Sequence, residues 1–166
     1  MMLRKFMAVL MAAVSVCLVS CSSDDSEPLS SKVTCPSTSG VTTAYADAFA
    51  RVYPNGMTSF RGVDDQSTLL ITAVNDNTVR VAYVSNLWGP ATFESVSVAE
   101  SKGAYLMEGT GSIKTPDLFK GGSAEDAVTY ENFTFSGYVS ADSTSYIIKG
   151  QLGNMGVLTL KFTPNE

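Results

Sequence analysis

Histidine is absent from all 166 residues of this chain. Its absence removes Ser-His and Cys-His nucleophilic catalysis, imidazole proton transfer and His-ligated zinc. Charge is scarce as well, at 16% of residues against a usual ~25%. With 45% hydrophobic residues, that scarcity excludes a disordered chain, a coiled coil and a highly charged nucleic-acid binder. No apolar run reaches the ~20 residues of a membrane-spanning helix. The longest, Phe6 to Val19, is interrupted only by Ser15.

That run has the right length for another purpose. Arg4 and Lys5 precede it and Leu18-Val19-Ser20-Cys21 follows it. A basic start, a short apolar centre and small residues before a cut form a signal peptide. The tetrapeptide resembles a bacterial lipobox, with cleavage before Cys21. Cys21 is therefore the expected lipidation site, its sulfur carrying a diacylglycerol and its freed amine a third chain. Two or three acyl chains suffice for stable membrane anchoring.

Cleavage would remove Arg4 and Lys5 but no acid, taking the formal charge from −5 to −7. A negative surface disfavours nucleic acid and anionic membrane surfaces as partners. Cys17 would leave with the leader and Cys21 would be acylated, so Cys35 alone remains and no internal disulfide framework is expected. Ser22-Ser23-Asp24-Asp25-Ser26-Glu27-Pro28 is too polar to bury surface and reads as a solvated linker. It also resembles the export signal of surface lipoproteins in certain Gram-negative anaerobes, and Ser22 beside the anchor suits release from the inner membrane. The division expected is a signal peptide over 1–20, a flexible acidic, Ser-rich tether over 21–40 and a folded domain over 41–166. The expected location is the outer membrane, lipid-anchored and at the cell surface.

Beyond the tether the chain alternates with period two. Val79, Val81 and Tyr83 fall on one face and Thr78 and Arg80 on the other. Leu158, Leu160 and Phe162 oppose Thr159, Lys161 and Thr163 in the same way. Similar runs occupy 68–74, 91–99, 103–112, 128–139 and 144–152, separated by turn-formers such as Asn75-Asp76-Asn77, Lys102-Gly103 and Ala141-Asp142-Ser143. Residues 44–53 satisfy both periods, with helix-forming alanines and an Asp47/Arg51 pair. Taken as a strand, they bring the number to eight, enough to close an antiparallel barrel without edges. Parallel α/β architecture would need helical crossovers, for which there is no room.

A lipobox, a polar tether and repeated β-runs together resemble the calycin-like β-barrel lipoproteins of Gram-negative gut anaerobes. The likeness lies in Asn77-Thr78-Val79-Arg80-Val81, Phe93-Glu94-Ser95-Val96-Ser97-Val98, Tyr105-Leu106-Met107-Glu108-Gly109 and the closing Gly153 to Phe162. It implies an all-β fold with a single eight-stranded, up-and-down, lipocalin-like barrel behind the tether. It implies no particular ligand.

A barrel of that size is either filled by its own side chains or holds one small ligand. Tyr83, Tyr105, Met107, Phe133, Phe135, Leu158, Leu160 and Phe162 are the expected interior, as plain core or as the lining of an apolar cavity. Leu87 and Trp88 sit in a turn, where they either plug one barrel end or form an exposed contact. Asp64-Asp65 and Glu125-Asp126 read as loop charge, since neighbouring side chains of extended backbone point apart. Gly109-Thr110-Gly111 precedes no helix and does not suggest phosphate binding. Asp142-Ser143-Thr144 resembles a short O-glycosylation acceptor and reads more simply as a turn. Neither a nucleophile–base pair nor a calcium loop is legible, so the expectation is a protein that is not an enzyme and takes no cofactor or metal.

Two functions fit. The first is a non-catalytic module that binds a small apolar ligand or a glycan. The second is an accessory or structural subunit of an outer-membrane protein assembly, with a filled barrel. In either case Cys21→Ala should abolish fatty-acid labelling and leave unprocessed precursor. Labelling that survives the change would remove Cys21 as the anchor.

Overall fold

A computed structural model describes residues 27–47, 59–116, 124–153 and 156–165. The eight strands are β1 (Cys35–Asp47), β2 (Ser59–Asn75), β3 (Thr78–Val84), β4 (Ala91–Ser101), β5 (Ala104–Thr115), β6 (Val128–Val139), β7 (Thr144–Gln151) and β8 (Val157–Pro164). Each pairs antiparallel with its sequence neighbour, and β1 pairs with β8 from Gly40↔Pro164 to Asp47↔Val157. The result is a closed, antiparallel, up-and-down barrel. Closure removes the edges that an open eight-stranded sheet would expose.

Alternation decides which face lies inside. In β3, Val79, Val81 and Tyr83 are fully buried, while Arg80 and Val84 are exposed. In β8, Leu158, Leu160 and Phe162 are buried and Lys161 and Thr163 are exposed. All eight residues expected inside the barrel are buried. Extra residues interrupt the rhythm at bulges. Glu94 and Ser95 both face out where the β4–β5 register shifts between Thr92 and Val96. Glu131 and Asn132 do the same against Ser112, with Asn132 at φ +62°. A bulge puts two residues opposite one and lets the remaining strand resume its inward phase.

Residues 44–47, placed in a strand by the sequence, lie in β1, whereas 48–53 fall outside the described residues. Ordered structure begins well ahead of Gly40, where composition put the end of the tether. Leu29–Val33 forms a short helix, α1, and β1 starts at Cys35. Composition misjudged this stretch because its partners are remote in sequence. Cys35 pairs with Ile71 and Thr38 with Leu69, and the Ser30 N–H donates to the carbonyl of Asp76 at 3.2 Å. Val33 is buried, and Leu29 packs against the core.

The two ends of the barrel differ. One carries α1 and the tight β2–β3, β4–β5 and β6–β7 turns and is called the helix end below. Lys102 and Gly103 form the second of these turns with φ of +52° and +78°, a left-handed pair suited to a two-residue hairpin. The opposite, loop end carries the β1–β2, β3–β4, β5–β6 and β7–β8 connections.

Phe162→Ala should cost on the order of 3–5 kcal/mol, from lost transfer energy and the cavity left behind. Thr159→Ala, on the outer face of the same strand, should cost within about 1 kcal/mol. Chemical denaturation of both variants measures the difference. A larger loss at Thr159 would overturn the inward phase of β8.

Candidate functional site

The inward side chains meet one another across the lumen. Tyr83 of β3 contacts Phe162 of β8 edge-on, with centroids 6.3 Å apart. Phe162 meets Tyr146 at 6.1 Å, Tyr146 stacks on Phe135 at 5.9 Å, and Phe135 meets Phe93 at 5.4 Å. Five rings from five strands thus form one continuous chain. Such separations suit offset and edge-to-face pairing, which adds ~0.5–1.5 kcal/mol per pair beyond burial.

Inward glycines make room for the large groups. A Cβ at Gly150 would meet the Phe133 ring at 2.5 Å, and one at Gly137 would meet Met107 at 2.7 Å. A Cβ at Gly40 would collide with the Phe162 ring. Alternating small and large residues are how a narrow barrel fills its own interior. The residues expected from sequence as plain core or as a cavity lining are all buried in one hydrophobic core.

The turn after β3 separates its two large apolar residues. Trp88 is buried in the hydrophobic core, while Leu87 is 49% exposed. Asp64 fixes this arrangement. Its carboxylate accepts the Ser85 hydroxyl and the backbone N–H groups of Asn86 at 2.9 Å and Leu87 at 3.3 Å on one oxygen. The other oxygen accepts the Gln66 N–H at 3.0 Å. Asp64 is only 5% exposed and Asp65 is exposed. The reading of this pair as loop charge is corrected accordingly: both residues lie in β2, and Asp64 clamps the β3–β4 connection. Apart from Gln66, its donors come from about twenty residues away, so no local pattern reveals the clamp.

Burial works to raise the Asp64 pKa, but the four donors outweigh it, and the value lies below the usual 3.8. Burial raises the Tyr83 phenol above 10.0 and keeps it neutral; its hydroxyl donates to Thr42 Oγ1 at 2.9 Å. These groups form a structural network at the loop end. No group of three or more His, Cys, Asp or Glu side chains able to hold a metal occurs among the described residues.

The outer wall offers a different environment. A shallow groove of about 630 Å³ runs across β3–β6, lined by Thr78, Ser95, Ser97, Thr110, Thr134 and Ser136, with Glu108, Gly109 and Phe135. Its floor follows from the register: Thr78 pairs with Ser97, Ser97 with Glu108, Glu108 with Ser136 and Thr110 with Thr134. The β4 bulge turns Ser95 outward, and Gly109 lets the strands approach so closely that a Cβ there would meet Val96 at 2.7 Å. Ser97 and Thr134 donate their hydroxyl protons to the carbonyls of Glu108 and Lys149, both at 3.0 Å. Their oxygens retain lone pairs for an incoming donor. Glu108 is the single charged side chain in the lining. Hydroxyls in quantity with one carboxylate suit hydrogen bonding to a neutral, hydroxylated molecule. They do not supply a nucleophile with an adjacent base.

The other motifs singled out from residue order fall into structural roles; Cys21 lies outside the described residues. Cys35 is buried, and Thr38 donates to its sulfur at 3.9 Å. Gly109-Thr110-Gly111 lies within β5, while Asp142 and Ser143 form the β6–β7 turn, where the Ser140 N–H bonds to the Ser143 carbonyl at 2.9 Å. The groove was missed because its six hydroxyls come, one or two at a time, from unremarkable positions on four strands.

Among solved structures, the fold is similar to the crystal structure of "a putative outer membrane protein" from Bacteroides fragilis. The TM-score is 0.58 at 18% sequence identity, covering 84% of this chain and 53% of that one. The chain thus spans about half the length of that protein, and the likeness is one of fold. Neither a family model nor a curated protein matches the chain.

Asp64→Ala should destabilise the barrel by on the order of 2–3 kcal/mol, because it strands buried donors. Asp65→Ala should be close to neutral. Since the folded pKa of Asp64 is lowered, its contribution is whole above the unfolded value of ~3.9. The contribution is lost as the pH falls through that value toward the lower folded one. Urea titrations at pH 7 and pH 3 should show Asp64→Asn narrowing the gap between the two. A gap unchanged by the substitution would remove Asp64 as its source.

Proposed function

We propose that this chain is a lipid-anchored outer-membrane lipoprotein of the calycin-like kind, displayed at the cell surface and acting as a non-catalytic glycan-binding module. The binding surface is the hydroxyl-lined groove on the outer wall. One observation carries the choice of site: the groove presents six hydroxyls on a rigid sheet, whereas the side chains of the lumen are engaged with one another. A glycan offers matching donors and acceptors, and an open groove admits a segment of a longer chain. The shallow shape and the lack of an exposed aromatic platform in its lining favour weak binding, strengthened where many anchored copies meet a polymer. The outer-membrane placement is supported by the leader ending at Cys21 and by the fold shared with the Bacteroides fragilis protein.

A second reading, an accessory subunit of an outer-membrane assembly, draws on the β2–β3 flank. Leu70, Val84 and Leu87 are 40%, 51% and 49% exposed there. Leu70 pairs with Ala82 and Val84 with Thr68, which puts the two on one outer face.

Glycan-array screening followed by saturation-transfer NMR tests the first reading. A bound glycan should lose at least tenfold in affinity when Ser136→Arg fills the groove, with thermal stability retained. Binding that is indifferent to Ser136→Arg would move the site elsewhere. Recovery of one stoichiometric outer-membrane protein, lost on Leu87→Asp, would favour the second reading instead.

A further inference from the structure

We infer that the helix end of the barrel is a membrane-seating surface and that its partner is the lipid leaflet holding the anchor. This inference rests on acylation of Cys21. The geometry begins with the reach of the chain. Cys21 precedes Leu29, the first residue of α1, by eight residues, which fully extended span at most about 29 Å. A strand as long as β5, twelve residues tilted in a barrel wall, makes that wall roughly 30 Å tall. For the loop end to face the bilayer, the tether would have to run the whole height of the barrel at full stretch. With the helix end down, it keeps slack.

The point of entry is fixed. The Ser30 N–H donates to the Asp76 carbonyl at 3.2 Å, the Ser30 hydroxyl donates to the Asn75 carbonyl, and Val33 is buried. The tether therefore leaves the barrel beside the β2–β3 turn, at its helix end.

The rim at that end carries apolar groups on opposite flanks. Val74, near the end of β2, is 55% exposed; Leu106 and Tyr138, paired across β5 and β6, are 41% and 43% exposed. Tyrosine is amphipathic and favours the level of lipid headgroups. The exposed charges around the rim are of both signs: Lys32 and Lys102 with Asp76, Glu100 and Asp142. Seating by this end points the loop end, with Leu87 at its β3–β4 turn, away from the bilayer.

The test uses the full lipidated protein in phosphatidylcholine vesicles containing headgroup spin-labelled lipid. A fluorophore is attached at Lys102→Cys or Asp142→Cys on the helix end, or at Leu87→Cys on the loop end, with buried Cys35 replaced by alanine. Quenching at 102 and 142 should exceed that at 87 by at least threefold. Equal quenching at all three positions, or stronger quenching at 87, would overturn the orientation. Flotation with the vesicles is read separately, and a chain that fails to float removes the anchor and this inference with it. Leu106→Ser combined with Tyr138→Ser should at least halve quenching at 102 while flotation is unchanged. Quenching unaffected by that pair would overturn the seating role of the rim.

Discussion

Pairing of β1 with β8 is the constraint on which everything else depends. Once Gly40↔Pro164 through Asp47↔Val157 close the sheet, the side-chain alternation of eight strands must resolve into one inside and one outside. A one-residue slip in any strand would exchange its two faces. The interior then has a set diameter, and its rings have to meet. Phe162 illustrates the demand, since it touches Tyr83 on one side and Tyr146 on the other while lying against Gly40. Small residues opposite large ones are a consequence of closure, and so is the chain of ring contacts inside.

Mutual contact among the described inward rings turns attention for recognition to the wall and the ends. On the wall, bulges matter as much as the strands. The β4 bulge sets Ser95 outward beside Ser97, and Gly109 brings the neighbouring strand close, which together shape the hydroxyl groove. At the loop end, the buried carboxylate of Asp64 holds the β3–β4 turn by its backbone. That hold keeps Trp88 inside and Leu87 outside. At the helix end, α1 packs beside the β2–β3 turn and determines where the chain ahead of it leaves the barrel. Wall, loop end and helix end thus have separate physical properties, and the proposed binding, assembly and membrane surfaces follow those differences.

Much of this was legible in residue order. The inward phase of β3 could be read from Val79, Val81 and Tyr83, and that of β8 from Leu158, Leu160 and Phe162, because alternation is a local property of extended backbone. The turn at Lys102-Gly103 was legible because a left-handed pair favours glycine. The expectation of a leader ahead of Cys21 rests on a linear pattern alone, as targeting does. Local order also established strand count, fold class and the absence of imidazole chemistry.

What only the tertiary structure decided involves residues far apart in the chain. Asp64 looked like loop charge until the N–H groups of Asn86 and Leu87 arrived from the turn after the neighbouring strand β3. Residues 29–39 looked like tether until Cys35 met Ile71 and Ser30 met Asp76. The filling of the lumen depended on which ring faces which glycine, a matter of register between strands. The groove depended on hydroxyls from four strands converging on one face. Alternation and turn chemistry operate over two to four residues and are written in the sequence. Register, convergence and the burial of a charge operate across the closed sheet, and exist only once the first and last strands have paired.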